Sequence, residues 1–125
     1  MKILLYVDPS WKNYKLFEFV LNDYFPKWHW WFRKLEFLFA GKLEFCNKFF
    51  EKKKARYGYN GDKFDLKEEV FVSNLPIDKA LIFCKNEKSL LKKENKKLIS
   101  FLDENKYKYS TFFSEDVTYV QKNTK

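Results

Sequence analysis

Apolar residues in this chain fall into short continuous runs and into longer stretches where they recur every three or four positions. Residues 2–8, KILLYVD, form a run of the first kind that ends on an acid. A run this short, apolar throughout and with a polar stop, predicts a strand buried on both faces. Pro9 and Ser10 follow. Then Trp11, Tyr14, Phe17, Val20, Leu21 and Tyr24 recur at three and four, which predicts an amphipathic helix that stops before Pro26. Strand followed by helix points to an α/β fold.

The next segment leaves two readings open. As a helix, residues 28–39 would put Trp28, Trp31, Phe32, Leu35 and Phe39 on one stripe, with Trp30 and Phe37 opposite. As a strand, Leu35, Phe37 and Phe39 point one way, and a turn over 40–42 would bring Phe39 against Leu43 and Phe37 against Phe45. From Leu43 to Arg56 the pattern is helical, with Leu43, Cys46, Phe49 and Phe50 inward and a Glu44–Lys48 pair outward. Asn60-Gly61 is a type I′ hairpin signal that would pair Tyr59 with Asp62 and Tyr57 with Phe64.

EEVFVS (68–73) and KALIFC (79–84) read as strands, with a turn around Pro76 between them. Asn86 is placed to cap a helix running from Glu87 to about Asn105, with Leu91, Leu98, Phe101 and Leu102 inward. Tyr107, Tyr109, Thr111 and Phe113 alternate, as do Val117 and Tyr119, which predicts the last strands. The expected fold is one small α/β domain over residues 1–125. It has a mixed sheet, a βαβ unit formed by KALIFC, the following helix and YKYSTFF, and helices on at least one face. If KILLYVD shares that sheet and direction, Asp8, Asn86 and Glu87 meet at the carboxyl edge, where open α/β sheets bind ligands.

Composition narrows the chemistry. The chain has 125 residues, enough for a core without staples. Cys46 and Cys84 sit among apolar neighbours and read as buried hydrophobes. With one histidine and no CxxC or HxxxH spacing, no metal site is expected, and no motif asks for a cofactor. YGYNG lacks both the P-loop Lys-Ser/Thr and the dinucleotide spacing. His29 stands among tryptophans with no serine partner for a triad. The apolar run Ile3–Val7 is too short for a signal or a span, so a cytoplasmic protein is expected.

Net charge is +8, carried by lysine far more than by arginine. That balance favours anionic partners without favouring bidentate base recognition. The basic residues cluster at Lys48, Lys52, Lys53, Lys54 and Arg56, and again over 85–97, where Lys88, Lys92 and Lys96 would line one helix face. Either cluster could contact phosphates, with Tyr57, Tyr59 and Phe64 near the first to stack bases. PKWHWWFRKLEFLFAG (26–41) holds more aromatic area than a core of this size needs. Its surplus face, Trp28, Trp30, Arg33 and Phe37, is expected to bind a protein partner, with a membrane surface as the lesser alternative. Trp31 is expected in the core.

Asp8 follows a strand and precedes a helix. A metal-dependent nuclease of the PIN or NYN type keeps its first metal ligand there, and VDPSWKN is loosely similar to the opening of such domains. That resemblance implies a metal at Asp8 with further carboxylates from Glu87, Asp103, Glu104, Glu115 or Asp116. The chain departs from the pattern at FCKNEKSL, which offers Asn86 and Glu87 where an aspartate is required. The expected function is therefore a small binding or regulatory protein, of the kind phages and mobile elements encode. It would act through a basic, aromatic-rich surface on a nucleic acid or nucleoprotein complex. The alternatives are a nuclease or nucleotide-processing enzyme centred on Asp8, with Glu87 as second candidate, and a peripheral membrane-associated accessory protein.

Overall fold

The computed structural model describes residues 2–26, 35–59, 61–63 and 77–115. They form an α/β fold around a five-stranded sheet of order β3-β2-β1-β4-β5. The strands are β1 (Lys2–Val7), β2 (Glu36–Gly41), β3 (Gly61–Lys63), β4 (Lys79–Cys84) and β5 (Lys108–Phe113). The helices are α1 (Tyr14–Tyr24), α2 (Leu43–Tyr57) and α3 (Lys93–Glu104), with a 3-10 turn over Glu87–Leu91.

All pairings among the described residues are parallel, which corrects the expectation of a mixed sheet. The reason lies in the connections. A helix follows β1, β2 and β4 and carries the chain back to the starting edge before the next described strand begins. β2, β1 and β4 are the inner strands, and β1 and β4 are buried along almost their whole length, as parallel strands covered on both faces must be.

Alternate side chains of β1, β2 and β4 feed two cores. Ile3, Leu5, Val7, Phe37, Phe39, Leu81 and Phe83 pack with Phe17 and Leu21 of α1 and Phe49 and Phe50 of α2. Leu4, Tyr6, Ala40, Ala80 and Ile82 pack with Leu98, Phe101 and Leu102 of α3. Helices thus cover both faces, α1 and α2 on one and α3 on the other. Among the described residues no helix is long and apolar enough to cross a membrane.

Residues 36–41 are neither helix nor hairpin. They form β2, in parallel register with β1 (Ile3↔Phe37, Leu5↔Phe39), and α2 starts two residues later. Gly41 makes this possible. Its φ is +76°, a β-carbon there would run into the Val7 carbonyl oxygen, and the next amide, Lys42 N–H, donates to that oxygen at 2.7 Å. Phe37 is 2% exposed and packs on Phe50 at 4.6 Å and Phe25 at 5.7 Å. It is core, which corrects its place on a partner-binding face. Trp28, Trp30, Trp31 and Arg33 lie outside the described residues, as do residues 68–73, Asp116, Val117 and Tyr119.

Tyr57 belongs to α2, not to a hairpin strand. The helix ends at Gly58, left-handed at φ +80°, whose N–H donates to the Lys54 carbonyl at 3.0 Å. Gly61 pairs in parallel with Phe37 instead. The single helix expected from Glu87 is broken at Lys92, whose extended backbone (φ −60°, ψ 144°) separates the 3-10 turn from α3. Asn86 caps the turn, its side chain accepting from Ser89 N–H at 3.2 Å. The break leaves Leu91 72% exposed, where an inward position is expected, and turns Asn95 into the interior.

Candidate functional site

Chain order reverses between β1 and β4, since β1 leads outward to β2 and β4 leads the other way to β5. The carboxyl ends of these two strands therefore open a crevice, and ligands of open α/β sheets bind in such crevices. Asp8 stands at its floor. It is 2% exposed, and its N–H donates to the Phe83 carbonyl at 2.8 Å.

The Asp8 carboxylate is surrounded by donors. Asn95 Nδ2 donates to one oxygen at 2.8 Å. The other accepts from Ser10 N–H at 3.0 Å, from the Ser10 hydroxyl and from Lys92 Nζ at 3.2 Å. Asn95 also donates to the Ser89 carbonyl at 2.7 Å and accepts from the Tyr6 hydroxyl. Burial pushes the Asp8 carboxyl up, but the bonds from Ser10, Asn95 and Lys92 outweigh it and hold the group below the usual carboxylate range. Burial, with Asp8 nearby, pushes the Tyr6 phenol well up, so it stays a donor. The arrangement ties β1, the β1–α1 loop, the 3-10 turn and α3 together.

The other acids do not join it. Glu87 is exposed on the 3-10 turn. Asp103 and Glu104 lie at the far end of α3, where Asp103 accepts from the Tyr109 hydroxyl at 2.7 Å. Glu115 accepts from Asn86 Nδ2 at 3.1 Å and pairs with Lys85 at 3.6 Å. No group of three histidine, cysteine or acidic side chains is placed to hold a metal among the described residues.

Beside Asp8, on the face carrying α1 and α2, lies a cleft of about 950 Å³. The β1–α1 loop gives it Ser10, Lys12 and Asn13, α1 gives Tyr14, Lys15 and Glu18, and α2 gives Lys48 and Lys52. The ends of β4 and β5 add Lys85, Ser114 and Glu115. Local structure explains the convergence. Asn13 caps α1, its side chain accepting from Leu16 N–H at 3.1 Å, and this sets Lys12 and Lys15 on either side of the helix start. Lys48 and Lys52 are one turn apart on α2, away from the buried Phe45, Cys46, Phe49 and Phe50. Lys85 N–H donates to Ser10 Oγ at 3.1 Å.

Among the described residues, five lysines face two glutamates here, an excess of three positive charges. Lys52 pairs with Glu18 at 3.4 Å and Lys85 with Glu115. Lys12 and Lys15 have no carboxylate partner among the described residues. Lys48 Nζ lies 4.3 Å from the centroid of the Tyr14 ring. Burial, then Glu18, push the Tyr14 phenol up to about 12, so it too stays neutral.

Of the expected phosphate-binding residues, Lys48 and Lys52 line the cleft. Lys53 lies over the Phe49 ring at 5.2 Å and Arg56 over Tyr57 at 5.9 Å, while Lys54 is exposed outside the cleft lining. Lys88 and Lys96 are exposed on the 3-10 turn and α3, and Lys92 is bound to Asp8. The two basic clusters thus ride on helices that cover opposite faces of the sheet. Sequence clustering does not single out Lys12, Lys15 or Tyr14. The signal for them is position, because WKNYK begins four residues past the end of a buried strand, at the ligand-binding edge. No protein-family model, curated protein or solved structure matches the chain. Fold and site together define a small parallel α/β protein with a lysine-lined cleft at its carboxyl edge.

Proposed function

We propose that this chain is a nucleic-acid-binding protein that holds a phosphate backbone in the carboxyl-edge cleft, alone or within a nucleoprotein complex. The carrying observation is the convergence of five lysines from three separate parts of the chain on one concave surface. Lysine acts on phosphate as a point charge, and releasing condensed counterions drives such binding without sequence readout. The two glutamates of the cleft cost little, since exposed ion pairs are weak and exchange readily for phosphate. The reading takes β4, α3 and β5 as a βαβ unit that presents Lys85 at the edge. Binding is favoured over turnover because Asp8, the best-placed carboxylate, has its acceptor sites filled by the chain's own donors.

Fluorescence anisotropy with labelled DNA and RNA oligonucleotides tests this. Binding should appear at low salt, and log affinity should fall linearly with log salt, by roughly 0.7 per phosphate contacted on a single strand. No binding to any oligonucleotide at low salt would refute it.

A further inference from the structure

Within that nucleic-acid reading, we infer that Tyr14 is a base-stacking platform of the cleft, capped by Lys48 until a ligand arrives, and that the ligand is single-stranded. Among the described residues lining the cleft, Tyr14 is the one aromatic. Its ring is fixed from behind by Phe45, at 5.4 Å in an edge arrangement, and by Phe17 at 6.3 Å. Its hydroxyl donates to Glu18 at 3.3 Å. A half-buried ring held this way gives a base a flat surface at little entropic cost.

Lys48 is the residue that must move. It is exposed on α2, and its ammonium has no carboxylate partner among the described residues, only the Tyr14 ring 4.3 Å away. A cation over a partly exposed ring is weakly held, and a charge-assisted bond to phosphate is stronger. An incoming nucleotide therefore offers Lys48 a better partner and uncovers the ring for its own base. Bases within a duplex already stack on their neighbours, so only an unpaired base can reach the ring.

The test compares a single-stranded thymidine oligomer with an abasic oligomer of equal length and charge. The wild-type chain should bind the thymidine oligomer roughly tenfold more tightly. Tyr14→Phe should keep that preference, and Tyr14→Leu should abolish it, so that the two oligomers bind alike. Lys48→Met should weaken both ligands alike. Upfield shifts of the Tyr14 ring protons on adding the thymidine oligomer, but not the abasic one, give the same answer without a variant. Equal wild-type affinity for the two oligomers, or a preference that survives Tyr14→Leu, would overturn this inference and leave the cleft reading standing. Binding of neither oligomer at low salt would overturn both.

Discussion

Asp8 and Gly41 are the two residues whose replacement has the most specific consequences. Asp8→Ala would leave one Asn95 amide N–H without its acceptor and take the carboxylate from the half-exposed Lys92 ammonium, at a cost of about 1–3 kcal/mol in chemical denaturation. The pH dependence has a definite direction. Because the folded carboxyl titrates below its ordinary range, Asp8 contributes fully above the ordinary aspartate pKa of about 3.9. Its contribution is lost as pH falls through the lower folded value. Between about pH 5 and pH 3 the wild-type urea midpoint should therefore fall further than that of Asp8→Asn, which has no such proton to take up. Parallel pH dependence in the two proteins would contradict the hydrogen-bonded assignment. Gly41→Ala should cost at least about 2 kcal/mol, since it combines a left-handed backbone with a collision against the Val7 carbonyl.

At the scale of elements, the boundary within 87–104 gives the clearest test. Leu91 and Leu98 share the same helical pattern in the sequence, yet one is 72% exposed and the other is fully buried. Leu98→Ala should cost about 2–5 kcal/mol, and Leu91→Ala should stay within about 0.5 kcal/mol of wild type. Equal losses would mean the helix is continuous through Lys92. This pair also shows what was legible beforehand. β1 and β4 could be read because strands buried on both faces leave unbroken apolar runs, and α1 could be read because its buried Phe17, Val20 and Leu21 keep helical spacing. The break at Lys92 could not. It goes with the inward-turned Asn95 and its bond to Asp8, a contact between residues 87 positions apart. β2 was hidden for a similar reason. EFLFAG alternates like a hairpin strand, and only its register against β1 and the Gly41–Val7 contact give its direction.

The charge of the whole molecule is distributed differently in space than along the chain. Sequence clustering joins Lys48 and Lys52 to Lys53, Lys54 and Arg56, whereas the fold joins them to Lys12, Lys15 and Lys85. Asp8 and its place at the carboxyl edge were readable from a strand followed by a turn. The partners that fill its acceptor sites, Asn95 and Lys92, come from the far half of the chain and were not. If the account is right, the location of positive charge governs binding and the total does not. Two triple variants with equal change in net charge separate these possibilities: Lys12, Lys15 and Lys48 to Glu in the cleft, and Lys88, Lys93 and Lys96 to Glu on the 3-10 turn and α3. Their affinities for one single-stranded oligonucleotide should be measured across a salt series. The cleft variant should lose at least about tenfold in affinity, and its log–log salt slope should flatten by about 2, while the second variant stays close to wild type. Equal losses in both variants, or a cleft variant that binds like wild type, would contradict the assignment of the cleft as the binding site.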